Sequence, residues 1–178
     1  MKYPGRDRLG GTIEVDETCV GGERPGQRGR GAAGQSLVVI AAQQQAHGIG
    51  RIRLVRVAHA SAASLERAVR LTVEPGSLVQ TDGWAGYNGL RALNYDHRPL
   101  GPAAEVGKDL LPRCHRVASL LKRGLLGPHQ GAVRAKQLEY YLDEFTFRFN
   151  RRTSQYRGKL FYRLAQQAVQ VDPGPDPV

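Results

Sequence analysis

Two aspartates each close a short alternating segment: Asp16 follows Thr12-Ile-Glu-Val15, and Asp82 follows Ser77-Leu-Val-Gln-Thr81. Period-two alternation makes both segments strands, with Ile13 and Val15 on one face of the first and Glu14 on the other. That strand delivers Asp16 and Glu17 to its end, where Gly21-Gly22 lets the chain leave at an angle closed to other residues. A carboxylate on a core strand is costly unless it is paired or holds a metal. A strand end dipping into solvent would explain either aspartate alone. Two strands that each present an Asp at one end can converge on a divalent cation.

Two-metal phosphoryl transfer takes a third ligand from a helix packed against the sheet. The segment Pro112 to Arg123 has helical character but contains no Asp or Glu. His115 and Lys122 are seven positions apart, about two turns, and so share a face with Ser119 between them. Val117, Leu120 and Leu121 point the other way, toward a core. Glu105 and Asp109 precede this helix in a loop rich in Pro and Gly. His115 is read either as the third ligand or as a helix-face residue that hydrogen-bonds a phosphate or Asp82.

The elements that must position these groups follow in order. Residues 1–10 form a loose leader, and the Gly- and Arg-rich stretch Glu23 to Gly31 is a basic loop beside Asp16. Ser36 to Ala42 is apolar throughout, as in a strand buried on both faces. A turn at His47 to Gly50 leads to a third strand, Arg51 to Val57, completing a meander. Ser61 caps a helix reaching about Leu71, with Leu65 and Val69 inward. Pro75-Gly76 leads to the strand ending at Asp82, followed by a short helix within Gly86–Leu93 and a strand at Asn94–Arg98. Leu138, Tyr141, Leu142, Phe145 and Phe149 mark an amphipathic helix. Arg148, Arg151 and Arg152 cluster at its C-terminal end. Leu160 to Val169 is a last helix, and residues 171–178 are a disordered tail.

The chain has 178 residues, 40% of them hydrophobic, which suits one domain with a sizeable core, here residues 11–170. No apolar run is long enough to span a membrane, and the N-terminus lacks the apolar core of a signal peptide, so the expected location is the cytosol. Cys19 and Cys114 are far apart with no Cys-x-x-Cys spacing, which argues against a disulfide framework or zinc ribbon. Twenty-six Lys and Arg against sixteen Asp and Glu give a net charge of +10, which favours a polyanionic partner.

Three strands, a helix, a strand ending in Asp, a short helix and strand, then helices: this is the order of a ribonuclease H-like domain. The fold expected is α/β, a mixed sheet of a three-strand meander plus parallel strands, flanked by helices, with the first and fourth strands side by side. The motifs Val-Asp-Glu-Thr-Cys-Val-Gly-Gly, Thr-Asp-Gly-Trp-x-Gly-Tyr and His-x-Val-x-Ser-Leu-Leu-Lys-Arg resemble bacterial insertion-sequence transposases of the DDE superfamily, specifically the ISXO-two-like group. So do Leu-Leu-Gly-Pro-His-Gln-Gly-Ala-Val and Leu-Asp-Glu-Phe-Thr-Phe-Arg-Phe-Asn-Arg-Arg. The resemblance spans roughly residues 8 to 170. Cys19 departs from it, standing where the group commonly shows Tyr.

The resemblance implies a nucleoid-associated enzyme that cuts and joins DNA strands with Mg2+ or Mn2+, two ions being expected, and that works on DNA as a homodimer or larger assembly. Carried over position by position, Asp16 and Asp82 match the metal-binding carboxylates. His115 stands where members carry Glu, Asn or His, and Lys122 matches the Lys seven residues later. Arg24, Arg28, Arg30, Arg123, His129, Arg151 and Arg152 are the expected DNA contacts. Trp84 is another, or else a packing or capping residue, and Glu17 stands beside the ligand set rather than in it. Mg2+ prefers oxygen to imidazole, so a His115 site leans toward Mn2+. Fuller members carry a zinc ribbon or helix-turn-helix region ahead of this domain, and the present chain is expected to lack one. The rival readings are a nuclease on the same fold and a truncated, non-catalytic DNA-binding remnant.

Overall fold

The computed structural model describes residues 7–21, 35–46, 48–101, 109–129, 135–156 and 162. The central strand β1, Thr12–Val20, is flanked on one side by the hairpin of β2, Ser36–Gln45, and β3, Gly48–Val57. On its other side lie β4, Leu78–Thr81, and β5, Asp96–Pro99. The sheet order is β3-β2-β1-β4-β5, antiparallel through the meander and parallel from β1 outward. This is the ribonuclease H-like arrangement expected from the order of elements, with the first and fourth strands adjacent.

Helix α1, Ala62–Thr72, and a 3-10 helix, Ala85–Leu93, cover one face of the sheet, while α2, Pro112–His129, and α3, Ala135–Asn150, cover the other. The alternation in β2 serves both cores. Val39 and Ala41 join Leu65, Val69 and Tyr87, whereas Val38, Ile40 and Ala42 join Cys114, Val117 and Leu121. Each fully buried aliphatic side chain contributes about 1.5–3 kcal/mol. Ser61 caps α1 as expected, its hydroxyl accepting from the Ser64 N–H at 3.4 Å.

Several expectations change. Asp16 is not at a strand end: β1 continues to Val20 because β2 pairs with it as far as Val20↔Ser36. Pairing with β4 stops at Glu14, so Asp16 lies where one neighbour has ended and the other continues. Glycine does mark the departure from β1, with Gly21 at φ +118°. The hairpin strands are longer than alternation predicts, since mutual hydrogen bonding carries them through Gln43–Gln45 and Gly48–Gly50.

The segment before β1 is only partly a leader. Leu9 is fully buried and forms a parallel bridge to Val73, because an aliphatic side chain beside α1 gains more from the core than from water. The basic loop at Glu23–Gly31, the helix at Leu160–Val169 apart from Tyr162, and the tail lie outside the described residues. No described helix is long and apolar enough to cross a membrane.

Candidate active site between the central sheet and α2

The parallel register pairs Ile13 with Val79 and Glu14 with Gln80, and Asp82, two residues beyond that ladder, is near enough for its charge to act on Asp16. The end of β4 is held by Thr81, whose hydroxyl lies 2.9 Å from Nε2 of buried His97. Burial, reinforced by the Arg91 charge, lowers the His97 pKa, which favours a neutral ring. Gly83, at φ +84°, then turns the chain back so that the Trp84 N–H donates to Asp82 Oδ1 at 3.0 Å. Trp84 itself is 43% exposed beside the site.

Glu14 and Asp16 share the face of β1 that meets α2. Glu14, 1% exposed, anchors that helix: its Oε2 accepts the N–H groups of Arg113 at 2.7 Å and Cys114 at 3.1 Å. Its Oε1 accepts from Arg113 Nη1 at 2.6 Å. The first N–H groups of a helix have no partner within it, and the helix dipole there favours negative charge. One carboxylate thus satisfies two orphan donors and one guanidinium, and docks α2 against the sheet. The signal was present in the sequence as an acid within an apolar strand, but its partners lie about a hundred residues away.

The docked helix brings His115, Ser119 and Lys122 along one open cleft with Asp16, Ala118 and Arg123. His115 is exposed on this face, and its Nε2 lies 3.4 Å from Asp16 Oδ2. Its other nitrogen, Nδ1, lies 2.5 Å from Asp109 Oδ1. Asp82 is not part of this cleft's lining and acts on Asp16 through its charge. Glu17 lines the cleft too, but its Oε2 accepts from the hydroxyl of fully buried Tyr87 at 2.8 Å. Burial, then the Glu17 charge, pushes the Tyr87 pKa well up, so the phenol stays a donor.

Asp16 is the electrostatic centre. Burial pushes its pKa from 3.8 up to about 6; the Glu17 amide and His115 pull it down, while the charges of Glu17 and Asp82 push it up. A desolvated carboxylate beside two others gains most from a nearby cation. Among the described residues, no group of three or more His, Cys, Asp or Glu side chains is arranged to hold a metal ion by itself. The donors nevertheless fit Mg2+ or Mn2+, which take one or two carboxylates and complete their coordination with water and substrate phosphate. The 3.4 Å between His115 Nε2 and Asp16 Oδ2 is close to the roughly 3 Å separating neighbouring ligands of one octahedral ion.

The expected DNA contacts are dispersed. Arg123 lines the cleft with Lys122. The Arg151 guanidinium lies 3.9 Å over the Phe147 ring. Arg152 stacks on Phe149 and donates to the carbonyls of Phe149, Gly50 and Ile49 at the β3 edge, with β2 between it and β1. Arg24, Arg28 and Arg30 lie outside the described residues, as does the side chain of His129.

Asp16 on β1 and Asp82 just beyond β4, faced by the imidazole and ammonium that α2 carries, would suit a domain that handles phosphate chemistry. The sequence matches the ISXO2-like transposase domain over residues 8–150, and the chain belongs to that family. No curated protein matches it. Among solved structures it is similar to the Mos1 transposase paired-end complex with left transposon end, at 18% identity and a TM-score of 0.46. That similarity covers 88% of this chain and 55% of the other, so the chain spans about half of that protein's length.

Proposed function

We propose that this chain is the catalytic domain of an insertion-sequence transposase, carrying out divalent-metal-dependent DNA strand cleavage and strand transfer. The observation that carries this reading is the 3.4 Å approach of His115 Nε2 to Asp16, a carboxylate that also feels the Asp82 charge, within a transposase-family domain. Asp16 and Asp82 would hold Mg2+ or Mn2+ ions, two being expected, with His115 Nε2 as a further ligand. When bound, the ions supply Lewis acidity to the attacking and leaving oxygens of an in-line displacement at phosphorus.

The chain's own groups do the rest. Lys122, on the cleft wall beyond His115, sets a compact ammonium against a phosphate next to the scissile bond. Arg123 offers its guanidinium fork to a neighbouring phosphate. One P–O bond forms as another breaks, so no protein side chain becomes covalently linked to DNA. Catalysis by the protein is positioning and charge neutralisation.

Strand transfer of a pre-nicked transposon end with a free 3′-hydroxyl tests the reading. The wild-type chain is expected to join ends, faster in Mn2+ than in Mg2+, because imidazole suits Mg2+ poorly. His115→Glu should shift the preference toward Mg2+, and His115→Ala should impair both. Strand hydrolysis without joining would assign the chain to the nucleases of this fold. DNA binding without either reaction in both metals would make it a non-catalytic remnant.

The cationic residues carry a separate expectation. Neutralising Arg24, Arg28 and Arg30, or Arg123, should weaken binding to all sequences alike. It should also reduce the slope of log affinity against log salt by about 0.9 for each DNA phosphate that is no longer neutralised. Weakening confined to one sequence with an unchanged slope would show base reading instead.

A further inference from the structure

The imidazole of His115 lies between two carboxylates that approach different nitrogens. Asp16 faces Nε2 at 3.4 Å, and Asp109 meets Nδ1 at 2.5 Å. An ionised carboxylate only accepts hydrogen bonds, so the short contact puts a proton on Nδ1. In a neutral ring Nε2 then carries the lone pair, and it lies 3.4 Å from Asp16 Oδ2. Asp109 is itself held in place. The same Oδ1 accepts from the N–H of Leu111 at 3.3 Å, and Leu111 is 1% exposed in the core beneath α2. Glu14 secures the following turn through Arg113 and Cys114. The ring, its Nδ1 acceptor and the start of the helix therefore form one anchored unit.

We propose that Asp109 is a positioning residue of this site: it selects the Nδ1–H tautomer of His115 and aims Nε2 at a divalent cation shared with Asp16. The inference rests on the reading that a cation binds there. A partner of this kind raises the basicity of a ligating imidazole and fixes its orientation, and its loss typically costs 10–100-fold in metal affinity. His115 is 54% exposed, so little packing would otherwise hold the ring. The acceptor supplies what packing does not.

Two measurements on the whole chain test this. Long-range proton–nitrogen NMR of the metal-free protein at pH 8 should show the His115 ring as the Nδ1–H tautomer in wild type. In Asp109→Ala the ring should move toward Nε2–H, the form that a free imidazole prefers. Mn2+ affinity, read from the EPR signal of unbound Mn2+, should fall about 10–100-fold in Asp109→Ala. Asp109→Asn should keep it within a few-fold, since its amide oxygen can accept the same two bonds.

The decisive comparison uses His115→Glu, where no imidazole remains to be oriented. In that background Asp109→Ala should cost no Mn2+ affinity. An equal loss in both backgrounds would overturn the proposal, showing that Asp109 holds the ion itself or merely secures the start of α2. A ring tautomer unchanged by Asp109→Ala, or a doubly protonated ring at pH 8, would overturn it as well. Failure of the wild-type chain to bind Mn2+ would sink the cation of the proposed function. The tautomer comparison would still decide whether Asp109 governs the ring.

Discussion

Asp16→Asn is expected to abolish strand transfer, by about 10^3-fold or more, while making the metal-free protein more stable at neutral pH. The activity loss follows from removing a carboxylate that would hold the catalytic ions, whose stabilisation of transition-state charge amounts to several kcal/mol at about 1.4 kcal/mol per tenfold in rate. The stability gain follows from linkage. Burial lifts the Asp16 pKa from 3.8 to about 6, so below pH 4 the folded and unfolded chains both hold the proton. As pH rises, the unfolded chain releases it first and the folded chain keeps it until about pH 6. Stability is therefore lost between pH 4 and 6.

At about 1.4 kcal/mol per pH unit, the loss by pH 7 is about 3 kcal/mol. Asparagine escapes it and can still accept the Glu17 N–H that bonds Asp16 Oδ1 at 2.9 Å. Urea denaturation in the presence of a chelator should show the variant ahead of wild type at pH 7, with the gap closing below pH 4. Saturating Mn2+ should reverse the order, because the ion stabilises only the protein that binds it. Mn2+ should likewise raise the melting temperature of wild type but not of Asp82→Asn. A variant that gains nothing at pH 7, or that binds Mn2+ like wild type, would remove Asp16 from the centre of the site.

Glu14→Ala should destabilise the protein by about 3–5 kcal/mol, the cost of breaking a buried ion pair by removing one partner. Glu14 is 2% exposed at its side chain and Arg113 is 23% exposed, so water replaces little of what is removed. The N–H groups of Arg113 and Cys114 would lose their acceptor at the same time. Glu14→Gln keeps an acceptor for the helix end and forfeits the charge, so its loss should be smaller. Chemical denaturation of both variants measures the difference. The damage should extend to function, since α2 carries His115 and Lys122 to Asp16. Wild-type stability in Glu14→Ala would mean that α2 docks through its apolar face alone.

Local pattern carried much of this protein in the sequence. Alternation at Ile13 and Val15, the apolar run of β2, the Ser61 cap and the 3.6-residue period of α3 are properties of neighbouring residues, and they yield the order of elements without any distant partner. That order was enough to place Asp16 on the first strand, Asp82 close after the fourth, and His115, Ser119 and Lys122 on one helix face.

Other features depended on register and docking, which local pattern does not encode. Asp16 proved to be mid-strand because pairing with β2 outlasts pairing with β4. Arg152, read from its sequence neighbours as a phosphate contact, donates to backbone carbonyls on β3 about a hundred residues away. Glu14 was legible only as an acid in need of a partner. That partner is a helix end brought alongside it across 99 residues of chain, where the first N–H groups of α2 meet a carboxylate buried on β1.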